Sequence, residues 1–459
     1  MAQDFQFSKP MVLLNQLVLE TNMNTEQIRS LHEGLVDFLR PFRPCFRQQR
    51  SFEHLEAYGA GLLADLKRKS IEPIALAAGQ DERTLQWFLS GSLWDHDRAR
   101  TLLQYRVAAR GDRRRIGVLD SSGHVKSGDK TPGVQRQWCG EVGKQENCVV
   151  GQHLLYTDND PKNPFSCMLS SDLFLPEGWS QDRQRCRDAG IPDSLLHRPK
   201  WKIGIEQLEK ALGNGVRFDW ITFDEEYGSV PQFWFDLDRL GLRAVGEVQP
   251  RFNAWATPPA CCSGRAEHSS KRVDHLVTYS PVFTSQPWVR YQVKIATRGP
   301  VVWEVKTAMV QLVAQPDPGH RGHSTPTDRK YWLIVARNPA TKEMKYFISN
   351  APASTPVEEM LQAAWARWHV EKWFERAKQE VGLGAFEVRT YQSLVRHWLI
   401  CGMLMTFLTE QTIRFRGEKS GHHLRAGRPR RQPDRVVRLG PPTGQHRDGE
   451  PDKLLPSMA

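Results

Sequence analysis

The apolar run Ile116–Leu119 constrains the fold most, because it lies between three arginines and a Ser-Ser-Gly turn. A short apolar run with such boundaries is typical of a buried strand. Asp120 follows at its carboxyl end, where open α/β sheets place their ligands. A second apolar segment, Phe218–Phe223, leads to Asp224 in the same way. Two such strands and a glutamate on a later helix would form a carboxylate cluster able to hold divalent metal.

The elements around these strands predict an α/β fold of the ribonuclease-H-like type. Strands at Cys148–Tyr156 and Cys167–Leu175 complete an antiparallel meander with the first strand. The elements that follow are predicted at Ile203–Leu212 (helix), up to Asp224 (strand), near Pro231–Leu240 (helix) and at Leu242–Val248 (strand). The order βββαβαβ is that of a ribonuclease-H-like fold, whose first and fourth strands position metal-binding aspartates.

At 459 residues the chain is too long for one ordinary core, and its pattern changes along its length. The predicted parts are a helical N-terminal DNA-binding region (1–110), the first part of the catalytic domain (111–249), a β-rich insertion (250–345), catalytic-domain helices that carry the glutamate (346–415) and a disordered basic tail (416–459). Strands predicted in the insertion include His275–Tyr279 and Tyr331–Ala336.

The N-terminal region contains a helix-turn-helix spacing at Ala75, Gly79 and Leu85. The small residue lets two helices approach, the glycine makes the turn and the leucine holds the second helix. Ordinary helical hairpins share this spacing, so DNA recognition and plain helical packing both stay open. The net charge of +11 favours a polyanionic partner, nucleic acid before a membrane surface.

Location is predicted from the cysteines and from the longest apolar run. Eight cysteines without a CxxC pair are typical of a reducing cytoplasm. The run Trp398–Leu408 is too short to span a bilayer and predicts a buried helix. We therefore expect a cytoplasmic, nucleoid-associated protein without a membrane partner.

The glutamate is predicted on a helix with an apolar stripe. The stripe consists of Val370, Phe374, Ala377 and Val381. Glu371, Glu375 and Lys378 lie beside it on one face. Most charge runs of this kind are solvated faces, but three flanking tryptophans make a wholly solvated face a poorer interpretation.

With these motifs in their order, the chain resembles the bacterial insertion-sequence DDE transposases over roughly residues 25 to 415. The segments that carry the resemblance are Leu119–Gly123, Gly133–Gly140, Leu175–Trp179, Asp224–Gly228 and Trp368–Lys378. The resemblance implies Asp120 and Asp224 as the two aspartates and Glu371 as the glutamate, together holding two Mg²⁺ or Mn²⁺ ions. Glu375 is the fallback carboxylate.

The family's helix signature is Tyr, two residues, Arg, three residues, Glu, six residues, Lys. Arg367, Glu371 and Lys378 match it, whereas Ala364 occupies the tyrosine position and Trp365 would replace that tyrosine only in part. By the resemblance, Arg367 and Lys378 would contact DNA phosphates near the scissile bond.

The resemblance implies two further DNA-binding residues. Arg136 lies in the Gly133–Gly140 segment that carries it, and Trp332 would stack on a base flipped out of the DNA end. A core tryptophan is an equally good interpretation of Trp332.

The function that the resemblance implies is cleavage of a mobile element's terminal inverted repeats. The 3′-hydroxyl ends would then be joined to target DNA by two-metal in-line phosphoryl transfer. The implied partners are double-stranded DNA and a second copy of the chain, because two ends must be held together. A ribonuclease-H-like nuclease without joining activity and a catalytically inactive, transposase-derived DNA-binding protein are the alternatives.

Overall fold

The computed structural model describes residues 25–161, 164–256, 270–296, 299–314 and 325–426. Its first part is helical, as predicted. The helices are α1 (Thr25–Leu39), a 3-10 helix (Arg40–Cys45), α2 (Gln49–Leu63), α3 (Ile71–Ala77), α4 (Glu82–Ser90) and α5 (His96–Ala108). Asp81 and Asp95 cap the starts of α4 and α5, where their side chains accept hydrogen bonds from backbone N–H groups.

Helices α3 and α4 form the predicted helix-turn-helix. Ala75 on α3 and Leu85 on α4 are both buried, and the two helices pack on each other. Gly79 lies between them at φ +61°, a left-handed conformation that favours glycine. The predicted geometry is therefore confirmed, while DNA recognition by this pair stays a prediction.

The first strands build the mixed sheet expected from the sequence. They are β1 (Ile116–Val125), β2 (Gln135–Cys139), β3 (Lys144–Thr157), β4 (Ser166–Leu173), β5 (Trp220–Phe223) and β6 (Ala244–Val248). Strand β1 pairs antiparallel with β3, which pairs antiparallel with β4. On its other side β1 pairs parallel with β5, which pairs parallel with β6. The order β4-β3-β1-β5-β6 agrees with the predicted meander and crossovers, and β2 adds a hairpin on β3.

Helices connect these strands. They are α6 (Glu177–Gln181), α7 (Arg183–Asp188), α8 (Lys200–Gly213), α9 (Glu225–Gly228) and α10 (Pro231–Arg239). Helix α8 lies on β3 and buries Ile203, Leu208 and Ala211, in line with its predicted amphipathic pattern. Helix α9 is a single turn that begins directly after Asp224.

The predicted insertion continues the same sheet. Its elements and the strand after it are β7 (Asn253–Trp255), β8 (Lys271–Arg272), α11 (Val273–Tyr279), α12 (Pro281–Thr284), β9 (Val289–Ala296), β10 (Gly299–Ala314), β11 (Thr325–Arg337) and β12 (Met344–Ser349). Strand β12 pairs with both β11 and β6. The described strands thus form one 12-stranded sheet rather than two separate ones.

One predicted strand of the insertion is wrong, because His275–Tyr279 lies in helix α11. Val273 and Leu276, three residues apart, are buried on one face, which is a helical spacing. Asp274 lies in the first turn, where a negative charge stabilises a helix. The β-branched Val277 and Thr278 suggested a strand, and this tertiary packing overrides their propensity.

The last described helices are α13 (Val357–Ala366), α14 (Trp368–Glu380) and α15 (Tyr391–Ala426). The predicted apolar stripe of α14 is buried. Helix α15 packs on the N-terminal helices: the Tyr58 hydroxyl lies 2.9 Å from His397 Nδ1, and the Phe38 and Phe407 rings lie 5.6 Å apart. Helix α15 also extends to Ala426, into the segment predicted as a disordered tail; the rest of that tail lies outside the described residues.

The apolar run Trp398–Leu408 is a buried part of α15, as predicted. Within the described ranges, none of the helices combines the length and apolar character needed to cross a bilayer.

Candidate active site

The parallel pairing of β1 and β5 brings the two predicted aspartates side by side. The predicted turn after Asp120 is wrong, because residues 121–125 pair with β3 and continue β1 to Val125. Leu119 lies opposite Phe223 in the register, so Asp120 within β1 and Asp224 directly after β5 lie at the same level. Asp120 Oδ1 accepts a hydrogen bond from the Ser121 N–H at 2.8 Å. Asp224 caps α9, and its Oδ1 accepts from the Glu226 N–H at 3.0 Å.

Both aspartates hold their protons more tightly than an ordinary carboxyl group. Burial raises the pKa of Asp120 to about 6, against the opposing effects of Arg367 and the Ser121 N–H, and Glu371 and Glu226 raise it further. Burial raises the pKa of Asp224 to about 7, with repulsion from Asp120 and Glu226 as the next causes. Carboxyl groups that are both buried and clustered behave in this way when nearby positive charge does not outweigh these effects.

Arg367 joins the predicted glutamate to this pair. It lies between α13 and α14, and its Nη2 is 2.9 Å from Glu371 Oε1, one turn along. Burial lowers the pKa of Arg367, but the charges of Asp120, Glu371 and Asp224 outweigh burial and raise it overall. The guanidinium therefore sits in the field of all three predicted carboxylates. The Glu371 side chain is 50% exposed.

Lys378 lies farther along α14, beside the end of β1. Its Nζ is 3.5 Å from the Gly123 carbonyl oxygen and 3.6 Å from a carboxylate oxygen of Glu141. The side chain is partly exposed. Arg367 and Lys378 thus place positive charge at two points along β1.

Two residues of this cluster were missed by sequence reasoning. Glu226 acts on the pKa of both aspartates. Lys200, at the start of α8, places its Nζ 2.8 Å from Glu226 and 3.3 Å from the Ser121 hydroxyl. Glu226 had a signal, because it lies in the Asp-Glu-Glu that ends the second strand. Lys200 had none, since only the packing of α8 brings it there.

The other predicted residues lie outside the carboxylate cluster. Glu375 is exposed and pairs with Lys372 at 3.2 Å. Trp332 on β11 is half-buried, and its indole N–H donates to the Pro352 carbonyl at 3.2 Å. Arg136 is exposed on β2, next to Trp138, which is 63% exposed.

An alanine with a neighbouring tryptophan stands at the tyrosine position of the helix signature. Ala364 is buried within α13. Trp365 packs on Trp303 and Phe347, with ring centroids 5.3 and 5.1 Å away. The Trp365 ring is thus partly buried against these two side chains, and its partial replacement of the tyrosine stays a prediction.

The donor set suits a hard divalent cation, although its geometry is not that of an assembled metal site. The oxygens of Asp120 and Asp224 are ligands that Mg²⁺ prefers, and a cation would offset the burial and the repulsion that raise their pKa values. In the described part of the chain, however, no group of three or more acidic, histidine or cysteine side chains is arranged to hold a metal ion. Glu371, the third predicted ligand, is engaged by Arg367 instead.

The class of protein follows from comparison with known families. The family model described as "DDE superfamily endonuclease" matches residues 41–300, more than half of the chain. The chain belongs to this family, and the predicted DDE resemblance is confirmed.

A curated relative and a solved structure are also similar. The chain is 25% identical over 375 residues to the "Probable transposase for insertion sequence element IS701" of Microchaete diplosiphon, covering 80% of this chain and 85% of the relative. The cryo-EM structure of the piggyBac transposase synaptic complex with hairpin DNA aligns over 87% of this chain and 75% of that one. Its TM-score of 0.38 at 11% identity is too low to establish a common fold.

Proposed function

We propose that this protein is a DNA transposase of ribonuclease-H-like fold that cleaves the terminal inverted repeats of a mobile element and joins the 3′-hydroxyl ends to target DNA. The observation that carries the proposal is the meeting of Asp120 and Asp224 where the parallel pairing of β1 and β5 ends, in a chain of the DDE endonuclease family. The named transposase relative supports joining over simple hydrolysis.

The carboxylates take the central roles in this proposal. Asp120, Asp224 and Glu371 would hold two Mg²⁺ or Mn²⁺ ions, which activate an attacking oxygen and stabilise a leaving oxygen in phosphoryl transfer. A cation held by Glu371 would compete with Arg367 for this carboxylate, since Arg367 Nη2 lies 2.9 Å from Glu371 Oε1. Lys200 would offset the charge of Glu226 beside these carboxylates through their 2.8 Å ion pair.

The basic residues beside the carboxylates would bind the DNA backbone. Arg367, once released from Glu371, and Lys378 would each offer a cation to a phosphate next to the scissile bond. Arg136, exposed on β2, would extend this contact along the duplex. We propose double-stranded DNA as the partner and a dimer on DNA as the working assembly, because two ends must be cut and joined together.

The experiment that tests this function compares wild type, Glu371→Gln and Glu375→Gln on DNA carrying the element's ends, with Mg²⁺. Glu375 is the matched control, since it lies one turn along the same helix and pairs outward with Lys372. We expect Glu371→Gln to lose cleavage and joining while it keeps DNA binding, and Glu375→Gln to keep all three. Cleavage without joining in the wild type would identify a nuclease, and binding without cleavage would identify an inactive DNA-binding protein.

A further inference from the structure

A groove on the N-terminal helices shares no residue with the carboxylate site. It lies between α2 and α4 and encloses about 520 Å³, within the range of about 300–1,000 Å³ that ligand pockets span. Its lining combines basic, aromatic and apolar side chains: Arg47, Arg50, His54, Arg83, Trp87 and Leu93. A groove of this composition has the chemistry to bind an anion that carries an aromatic ring.

Trp87 is the aromatic group of the groove. It is 65% exposed, although its neighbours Phe88 and Leu89 on α4 are buried in the core. Its ring lies directly over Gly91, where any side chain would overlap the indole. The indole therefore has a defined position that depends on the glycine, while most of its surface faces solvent. An ordered, exposed tryptophan is a ready stacking surface.

The cations of the groove have no acidic partner among the residues that the structure describes. Among the described residues, Arg47, Arg50 and Arg83 make no side-chain hydrogen bond and no ion pair. All three are exposed and line the same groove. Arginine binds phosphate in a planar, two-pronged geometry. Three such groups line the same groove as the indole of Trp87.

His54 adds a neutral polar group to the wall. Burial lowers its pKa, and the nearby Arg50 lowers it further, so the imidazole is uncharged near neutral pH. Its Nδ1 is buried and has no hydrogen-bond partner within the described part of the chain.

We infer that this groove binds unpaired nucleotides of the DNA substrate, with a base stacked on Trp87 and phosphates at Arg47, Arg50 and Arg83. The inference rests on the proposed function, since it takes DNA as the substrate. Bases within a duplex are covered on both faces by their neighbours, so only an unpaired or terminal base can stack on an indole. Cationic grooves with exposed aromatic side chains are the common design for single-strand binding.

The position of α4 connects this groove to the strand that carries Asp120. Gln86 and Ser90, on a neighbouring row of α4, line a larger cleft that also includes Val125 and Lys126 at the end of β1. A single strand in the groove would thus lie about one helix diameter, roughly 10 Å, from that cleft. An unpaired segment next to a cleaved end could reach both.

The test measures binding of a fluorescein-labelled short oligothymidine and of a blunt hairpin duplex to the full-length protein by fluorescence anisotropy. Trp87→Ala is compared with Trp87→Phe, which keeps an aromatic ring, and with Tyr279→Ala, a control at another aromatic residue that is 76% exposed. We expect Trp87→Ala to weaken oligothymidine binding about tenfold or more, with duplex binding little changed. Trp87→Phe should recover most of the affinity, and Tyr279→Ala should lose none.

A second arm tests the arginines through salt dependence. Arg50→Gln should reduce the slope of log affinity against log salt by about 0.7 for the single strand. Arg114→Gln, at an exposed arginine before β1, should leave that slope unchanged. Equal losses on duplex and single strand in Trp87→Ala, or no loss on either, would overturn the inference.

The outcomes also separate the inference from the proposed function. If the wild type cleaves end DNA but does not bind oligothymidine, single-strand binding in the groove is refuted and the proposed transposase function is unaffected. A wild type that binds oligothymidine through Trp87 but never cleaves DNA supports the groove and refutes the proposed enzyme.

Discussion

The guanidinium of Arg367 lies 2.9 Å from the Glu371 carboxylate, at the junction where α13 ends and α14 begins. Arg367 also attracts Asp120 and Asp224, and it is the charged side chain that lowers the pKa of both. In the absence of metal, one arginine thus supplies part of the positive charge that three carboxylates require. The arginine of the helix signature is therefore part of the electrostatics of the site as well as a candidate phosphate ligand.

Replacing Arg367 with glutamine should impair the reaction and shift its pH dependence. Without the guanidinium, the pKa of Asp120 and that of Asp224 should rise further, so the ionised forms appear only at higher pH. We expect cleavage to fall by about 10- to 1,000-fold and the acidic limb of its pH profile to move upward. Lys372→Gln, which removes an exposed cation of the same helix, is the control. An unmoved acidic limb would contradict this role of Arg367.

Metal affinity should increase strongly with pH. The pKa of Asp120 is raised to about 6 and that of Asp224 to about 7, and a carboxylate must lose its proton before it binds a cation. Calorimetric titration with Mn²⁺ should therefore give much weaker binding at pH 5.5 than at pH 8, with protons released at the lower pH. Equal affinity at both values would mean that these carboxyl groups are not the ligands.

The aspartate pair could be predicted from sequence because each aspartate follows a run of apolar strand residues. The helix-turn-helix was predictable for the same kind of reason, since Gly79 and its neighbours act locally. The continuation of β1 beyond Asp120 could not be predicted, since the Ser-Ser-Gly segment becomes strand only through its pairing with β3. Lys200 could not be predicted, because it reaches Ser121 and Glu226 only after α8 packs on the sheet. Long-range packing of this kind leaves no trace in local periodicity.

The continuity of the sheet was likewise invisible in the sequence. Strand β12 lies between β6 and β11, so the end of the insertion pairs with a strand about a hundred residues earlier in the chain. The predicted site also differs in one contact, because Glu371 pairs with Arg367 in the structure. Their spacing of four residues on the sequence predicts that the two side chains are close, but it does not predict whether the glutamate binds the arginine or a metal ion. Local sequence patterns predict the helices and strands, whereas tertiary packing determines which strands and which side chains pair.

Asp120→Asn should stabilise the metal-free protein at alkaline pH. Because the folded pKa of Asp120 is about 6, above its ordinary value of 3.8, its stabilising contribution is complete below about pH 4 and is lost as pH rises through about 6. Asparagine removes that loss while it still accepts the Ser121 N–H. With a metal chelator present, the free energy of unfolding of Asp120→Asn should exceed that of the wild type by roughly 1–3 kcal/mol at pH 8. The difference should be smaller at pH 5. The control is Asp188→Asn, at an exposed residue; a gain independent of pH would contradict the assignment.

Arg396 should hold the helix-turn-helix onto α15. This buried arginine donates hydrogen bonds to the carbonyls of Phe88, Leu89 and Trp94 at 3.3, 3.0 and 2.9 Å. Phe88 and Leu89 lie in the last turn of α4, whose carbonyls have no partner within the helix and attract a cation. The Phe88 carbonyl also accepts from the Trp94 indole N–H at 3.3 Å, so Arg396→Leu should remove the donor of the Leu89 and Trp94 carbonyls and lower the free energy of unfolding by about 2–4 kcal/mol.

Urea unfolding of Arg396→Leu and Glu410→Gln separates this contact from an ordinary surface pair. Glu410 pairs with Arg106 at 2.6 Å in a partly exposed setting that also joins α15 to the N-terminal helices. Pairs of this kind contribute about 1 kcal/mol or less, so Glu410→Gln should barely move the unfolding midpoint. If Arg396→Leu is equally mild, the carbonyls of α4 find other donors, and the attachment of the helix-turn-helix depends on apolar packing, such as that between Phe38 and Phe407.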